Sequence, residues 1–268
     1  MKSCRKKYFM DDEREASRLA KKVNPTEWIT THFSSYLGRG MSVLDIGCGP
    51  GVIAGAIGSH FSKVKVTGVD ISKSRLIQAR KNCKGIHGVH FTYGNAFSLP
   101  FITNRFDFVY SRLLMEYLPN PIDAVGEMAR VCRPGGRVLI QDLDGQLLWH
   151  YPLQGDLEDR IHKILKYLQK TGFDPFAGRK LFYLLKRNGL QNIDVKIAPY
   201  HLYVGRIGED DFKLWKLKLE VAKPQIVLAL GSEEEGTRLI WDFLKYLQGE
   251  DTLTYSTLFT VSGVVREN

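Results

Sequence analysis

Early in its sequence the chain contains the stretch Val43-Leu-Asp-Ile-Gly-Cys-Gly-Pro-Gly51, an apolar run that leads directly into closely spaced glycines. Glycine takes backbone conformations that turn the chain sharply and let it approach a ligand closely. The stretch therefore predicts a strand, a tight turn and a helix that begins near Val52. The N–H groups at such a helix start can receive a carboxylate, and Asp45 can receive an ammonium group nearby. This turn suits an amino-acid zwitterion.

Asp70 ends the next apolar run, and there a carboxylate can accept hydrogen bonds from both hydroxyls of an adenosine ribose. The glycine turn and Asp70 together are more specific than either alone. A dinucleotide is disfavoured, because G-x-G-x-x-G counted from Gly47 requires glycine where the chain has Val52.

Apolar runs alternate with helical patterns from Met41 onward, which is typical of a parallel sheet with crossover helices. We expect an α/β fold with a Rossmann-like, mostly parallel sheet of seven strands, flanked by helices, and a helical cap inserted before the last strand. The predicted strands are 42–46, 64–69, 89–93, 106–110, 137–141, 193–203 and 252–265. The predicted helices are 52–60, 72–82, 123–131, 154–171, 179–187, 209–230 and 232–247.

Three parts are expected from this pattern. Residues 1–40 form an N-terminal helical lid, residues 41–205 with 251–268 form the Rossmann-like domain, and residues 206–250 form the cap. The cap helices carry an apolar stripe that includes Trp215 and Trp241, so we expect both tryptophans to shape a pocket.

The order and spacing of five motifs resemble the class I S-adenosylmethionine-dependent methyltransferases, particularly the UbiE/COQ5-like quinone methyltransferases. The motifs are Leu44-Asp-Ile-Gly-Cys-Gly-Pro-Gly51, Gly68-Val-Asp-Ile71, Gly94-Asn-Ala96, Phe106-Asp-Phe-Val-Tyr-Ser-Arg112 and Arg133-Pro-Gly-Gly136. The resemblance implies that S-adenosylmethionine is the cofactor. It places the glycine turn at the methionine part, Asp70 at the ribose, the 95–97 segment at the adenine, and Ser111 with Arg112 at the cofactor's border. The cofactor-binding residues implied are Asp45, Gly47, Cys48, Gly49, Gly51, Asp70, Ile71, Asn95, Ala96, Phe97, Ser111 and Arg112.

Two positions depart from the family pattern. Asn95 stands where the family usually has an aspartate that accepts from the adenine amino group, although an amide carbonyl can also accept. Tyr117 stands where the family often has histidine, so no catalytic base is assigned. Asp142 and Asp144 either orient a substrate or cap the next segment. His150, His162 and His201 either line a pocket or are structural.

The composition limits the compartment and the possible partners. The net charge of +9 fits an anionic partner or simply a solvated basic face, such as Arg160, Lys163, Lys166 and Lys170 at helical spacing. No apolar stretch is long enough for a membrane span. The charged N-terminus has no signal-peptide pattern, so we expect a cytoplasmic protein. The four cysteines form no CxxC pair, and no metal site is expected.

We expect the acceptor to be a small molecule held between the N-terminal segment, residues 145–177 and the 209–247 helices. Acidic residues in the cap, such as Glu209 and Asp210, disfavour a nucleic-acid backbone there. Two alternatives remain: an RNA or protein methyltransferase that uses the basic surface, and a cofactor-binding protein without catalysis. Methylation at oxygen, nitrogen or carbon stays open, and the protein is a monomer or a homodimer.

Overall fold

The computed structural model describes residues 24–153 and 155–267, so residues 1–23 of the predicted lid lie outside the described residues. The strands are β1 Ser42–Ile46, β2 Lys65–Asp70, β3 Val89–Tyr93, β4 Phe106–Arg112, β5 Cys132–Tyr151, β6 Gln191–Val204 and β7 Leu253–Val264. The helices are α1 Pro25–Phe33, α2 Val52–His60, α3 Lys73–Asn82, α4 Pro121–Val131, α5 Gly155–Lys170, α6 Leu181–Arg187, α7 Glu209–Leu230 and α8 Glu233–Tyr246. Short 3₁₀ turns cover Met115–Tyr117 and Gly178–Lys180.

The strands form one seven-stranded sheet in the order β3-β2-β1-β4-β5-β7-β6. Strands β1 to β5 are parallel to one another, whereas β7 runs antiparallel to both β5 and β6. The predicted Rossmann-like α/β fold with a mostly parallel sheet is confirmed. The carboxyl ends of β1, β2 and β4 therefore meet at one edge of the sheet, where ligands of such folds collect.

Each face of the sheet carries its own hydrophobic core. On one face, α1 and α2 bury Ile29, Phe33 and Ile57 against sheet residues such as Phe108. On the other, α4 and α6 pack against the opposite side chains of the same strands, Val109 among them. Alternate strand residues thus point to opposite faces, and both faces are covered, as a parallel sheet requires.

A third hydrophobic cluster joins the cap helices α7 and α8 to α5. Leu239 and Phe243 recur on one side of α8, Leu247 follows its last residue, and all three side chains are buried in this cluster. The sequence assigned α5 to the sheet domain, but its apolar face packs with the cap. The division into three parts remains a prediction.

Two expectations about this cluster were wrong. Trp241 is 62% exposed, because it projects from α8 on the side away from Phe243. Arg160 does not belong to a solvated basic face, because it is buried and forms ion pairs with Asp156 and Asp242.

The largest difference in strand length is in β5, predicted as 137–141 but extending from Cys132 to Tyr151. Its continuation beyond Gln141 pairs with β7, with an irregularity between Asp144 and Trp149. Within the described parts of the chain, no helix combines the length and the apolar character needed to span a membrane.

Candidate functional site

The glycine turn after β1 is held by the backbone of β2. The N–H groups of Gly47 and Cys48 both donate to the Val69 carbonyl, at 2.8 and 3.1 Å. Gly47, Gly49 and Gly51 all have positive φ, from +53° to +76°. A β-carbon at Gly51 would lie only 2.7 Å from Cζ of Phe91. Glycine is therefore required here both for its conformation and for the close approach of β3.

Asp70 ties this turn to the start of the next loop. One carboxylate oxygen accepts from the Gly49 N–H at 2.9 Å, and the other accepts from the Ser72 N–H at 2.8 Å. Each carboxylate oxygen can accept a second hydrogen bond, so these contacts leave acceptor capacity for ribose hydroxyls. The adjacent Ile71 is apolar and 54% exposed. Asp70 thus has a structural role that the sequence did not predict, and its ribose contact remains a prediction.

Asp45 is a buried carboxyl in β1, two residues before the glycine turn. Burial raises its pKa to about 7, and the nearby Asp70 carboxylate adds to this rise, while the Tyr110 hydroxyl and Arg112 oppose it. Cys48 is also buried, and burial raises the pKa of its thiol well above the ordinary range. Cys48 is therefore a packing residue rather than a nucleophile.

The end of β4 places Ser111 and Arg112 beside these groups. Parallel pairing sets Asp45 opposite Tyr110 and Ile46 opposite Ser111. Ser111 is fully buried, and its hydroxyl oxygen has no hydrogen-bond partner within residues 24–153 and 155–267. A buried hydroxyl of this kind normally has a hydrogen-bond partner.

Arg112, at the carboxyl end of β4, contacts two residues that the sequence analysis did not predict to lie at the site. Its guanidinium lies over the Trp28 ring at 5.0 Å, and its Nη2 donates to the Tyr200 hydroxyl at 3.2 Å. These contacts bring α1 and the far end of β6 to the carboxyl end of β4. No local sequence signal marks either partner, because Trp28 precedes the motifs and Tyr200 lies within an alternating strand.

The predicted adenine segment forms a tight turn after β3. The Asn95 side-chain oxygen accepts from the Phe97 N–H at 3.0 Å, and the Asn95 carbonyl accepts from the Ser98 N–H at 2.9 Å. Asn95 is exposed, whereas Ala96 and Phe97 are half-buried. The amide therefore shapes its own loop, as Asn commonly does in turns, and its contact with adenine remains a prediction.

Two neighbouring cavities adjoin α7, and the polar one lies between α7 and β6. A polar one, of about 220 Å³, is lined by Tyr200, His201, Leu202, Tyr203, Asp211, Leu214, Trp215 and Lys218. An apolar one, of about 70 Å³, lies within the cap cluster, and its lining includes Ile164, Leu219, Ala222 and Ile226. Trp215 and Lys218 line both cavities.

The remaining polar candidates have mainly structural contacts. Asp144 accepts from the Arg179 N–H at 2.9 Å and pairs with its guanidinium at 2.6 Å, so it caps the 3₁₀ turn. Asp142 accepts from the Leu143 and Glu116 N–H groups, and burial raises its pKa to about 7. His201 lines the polar cavity, with its Nδ1 3.3 Å from the Ser256 hydroxyl.

The other two histidines lie away from the cavities. The His150 Nδ1 lies 3.0 Å from the Thr254 hydroxyl, and the ring packs edge-on against Phe243 and Tyr246. His162 is exposed. The described residues contain no group of three or more His, Cys, Asp or Glu side chains that could hold a metal ion.

Comparison with known proteins identifies the family. A family model described as a methyltransferase domain matches residues 37–192, which is more than half of the chain. The chain belongs to this methyltransferase family. This methyltransferase uses S-adenosylmethionine. The predicted cofactor and the predicted resemblance to S-adenosylmethionine-dependent methyltransferases are therefore confirmed.

Three similar proteins illustrate this relationship. An uncharacterized methyltransferase of Schizosaccharomyces pombe is 29% identical over 163 residues, which cover 58% of each chain. A demethylmenaquinone methyltransferase of Bacillus licheniformis is 28% identical over 182 residues, or 63% of this chain and 76% of the relative. The solved structure of a Haemonchus contortus phosphoethanolamine N-methyltransferase 2 with S-adenosyl-L-methionine has a TM-score of 0.60 and 18% identity. That match covers 95% of this chain and 57% of the other, and it shows a shared fold.

Proposed function

We propose that this methyltransferase transfers the methyl group of S-adenosylmethionine to a small-molecule acceptor that carries a polar head and a short apolar substituent. The observation that carries the proposal is the pair of adjoining cavities that share Trp215 and Lys218. A polar head would occupy the cavity beside Tyr200 and His201. The apolar substituent would enter the cap cavity, whose 70 Å³ is about twice the volume of one water molecule in the liquid.

The cofactor fits the residues at the strand ends. The glycine turn would receive the methionine carboxylate on its N–H groups, and Asp45 would receive the ammonium group. Asp70 would hold the ribose, and the exposed Ile71 with Phe97 would cover the adenine. When bound, the cofactor supplies an activated methyl group on its sulfonium.

The protein's own contribution would be alignment and exclusion of water. Arg112 is held by Trp28 and Tyr200, and Tyr200 lines the polar cavity, so Arg112 would help to align the bound cofactor with an acceptor in that cavity. The cap helices α7 and α8, together with α5, would close over the acceptor and keep its reacting atom in line with the transferable methyl. No residue is assigned as a base, since an acceptor that arrives deprotonated needs none.

The relatives support a small acceptor by name only. The Bacillus licheniformis relative is a demethylmenaquinone methyltransferase, and the Haemonchus contortus neighbour is a phosphoethanolamine N-methyltransferase. Neither name transfers its substrate to this chain, because the sequence identities are 28% and 18%.

Turnover can be tested by measuring S-adenosylhomocysteine formation with paired acceptors such as phenol and 4-propylphenol, aniline and 4-propylaniline. We expect the propyl member of an active pair to have the lower KM, because burial of each methylene contributes about 0.8 kcal/mol. Trp215→Ala should raise that KM by about ten-fold or more and leave cofactor affinity unchanged, because Trp215 lines both cavities and its loss removes apolar contact with the acceptor.

Trp241→Ala is the matched control, since it removes the same side chain from an exposed position on the same cap. Equal effects of the two substitutions on KM would contradict the proposed acceptor site. Turnover confined to RNA or protein substrates would overturn the small-molecule proposal, and cofactor binding without any turnover would favour a non-catalytic protein.

A further inference from the structure

Strand β6 forms one edge of the sheet and is unusually open. It is the last strand in the sheet order, and among the described residues no strand pairs with its outer side. Val195 and Ile197 are 40% and 60% exposed, although both lie in the middle of the strand. A long edge strand with exposed apolar residues is a template for pairing with another chain.

The position of Pro199 shows which backbone N–H and C=O groups of β6 face away from β7. Residues 194–200 pair with β7 without a break, and Pro199 lies opposite Thr257. Proline has no N–H, so it is tolerated in a sheet where its nitrogen faces away from the neighbouring strand. Because backbone groups alternate in direction along a strand, the N–H and C=O groups of Val195 and Ile197 also face outward.

The side chains of β6 divide by charge between the two faces of the sheet. Val195 lies opposite Val261, which belongs to the core under α4 and α6, and Ile193 packs against that same core. Asp194 and Lys196 alternate with them and point to the other face. Within residues 24–153 and 155–267, their only ion pair is a long contact of 3.8 Å with each other.

We propose that β6 pairs antiparallel with β6 of a second copy of this chain, with Val195 on the two-fold axis. In this register Ile193 lies opposite Ile197 of the other copy, and Val195 lies opposite its counterpart. Asp194 then lies opposite Lys196 of the other copy, and the symmetry repeats this pair. The result is a continuous sheet across an isologous dimer.

The charges of Asp194 and Lys196 favour this pairing register over the adjacent registers. Centring the pair on Asp194 would oppose two aspartates, and centring it on Lys196 would oppose two lysines, both of which are unfavourable. A slip by one residue would set charged side chains against apolar ones. A lysine on an edge strand usually discourages pairing with another strand. In the proposed register, however, the charge of Lys196 is balanced by Asp194 of the other copy. This inference does not depend on the proposed acceptor.

Charge reversal tests the register directly in the full-length protein. Sedimentation equilibrium over a concentration series should show a monomer–dimer equilibrium for the unmodified protein. Asp194→Lys and Lys196→Asp should each weaken the dimer by about ten-fold or more, because each opposes like charges twice. The double variant with both reversals should restore the dimer. An equimolar mixture of the two single variants should form a heterodimer.

Asp251→Lys is the control for net charge, because it reverses an exposed carboxylate in the turn before β7. It should leave the dimer unchanged, and circular dichroism should confirm that each variant is folded. The proposal is overturned if the unmodified protein stays monomeric, if the single reversals dimerise like the unmodified protein, or if the double reversal fails to restore the dimer.

Discussion

Asp45 is the residue whose titration should control cofactor binding. Its pKa in the structure is about 7, and a nearby ammonium group would lower that pKa by favouring the charged carboxylate. Binding therefore requires loss of a proton below pH 7. We expect affinity for S-adenosylhomocysteine to fall about ten-fold from pH 8 to pH 6, measured by calorimetry. Asp45→Asn should bind weakly and retain only the pH dependence of the ligand itself.

The same carboxyl affects stability in the opposite direction. Its folded-state pKa lies above the unfolded value of 3.8, so the folded state favours the protonated form. That stabilisation is complete below the unfolded pKa and is lost as the pH rises through about 7. Asp45→Asn should therefore raise the melting temperature at pH 8 and change it little at pH 4. A variant that is destabilised equally at both pH values would contradict the raised pKa.

Gly51 should tolerate alanine less well than another left-handed glycine does. Gly51 and Gly85 have φ values of +76° and +86°, so alanine is conformationally strained at both. At Gly51 the new β-carbon would also meet Phe91 at 2.7 Å, whereas nothing lies within 4 Å at Gly85. We expect Gly85→Ala to cost about 1 kcal/mol of unfolding free energy and Gly51→Ala about 1–3 kcal/mol more. Urea denaturation measures both, and equal losses would show that Phe91 moves aside.

Among the elements, α5 is joined to α8 by an ion pair between a buried guanidinium and a half-buried carboxylate. Arg160 donates to Asp242 at 2.6 Å and to Asp156 at 3.0 Å, with only 6% of its side chain exposed. Arg238 approaches the same two carboxylates but is 58% exposed. Arg160→Met should cost about 2–4 kcal/mol of unfolding free energy, because it leaves Asp242 without its close partner. Arg238→Met should cost about 0.5 kcal/mol or less, and a similar loss in both variants would contradict this difference.

The elements also show what the sequence could predict. Strand β3 has the predicted bounds, 89–93, because its alternating apolar and polar residues lie between Gly88 and Gly94. The length of β5 was missed, since its extension is stabilised by pairing with the distant β7. Trp241 was misplaced because tryptophan adds hydrophobicity to a helix without specifying the side that is buried.

At the site, the motifs predicted which residues lie close together but not which hydrogen bonds and ring contacts they form. Asp45, Asp70 and Ser111 end adjacent parallel strands, and the order of the runs was enough to bring them together. The contacts of Arg112 with Trp28 and Tyr200 depend on α1 crossing one face and on β6 reaching over the strand ends. Such long-range contacts leave no periodic pattern in the sequence.

At the scale of the whole molecule, the net charge of +9 should give weak binding to RNA that is separate from catalysis. Each phosphate contact made by lysine or arginine releases counterions, so such binding weakens steeply as salt rises. A small acceptor enclosed under the cap makes few contacts of this kind. We therefore expect RNA binding, measured by fluorescence anisotropy, to fall by about a hundred-fold or more between 50 and 200 mM salt. The kcat and KM for the small acceptor should change less than about two-fold over the same range.

Excess RNA should not inhibit turnover, because the acidic start of α7, including Glu209 and Asp210, lies close to the polar cavity that Asp211 lines. Competitive inhibition by RNA, together with turnover that falls as steeply as RNA binding, would instead assign the basic surface to the substrate.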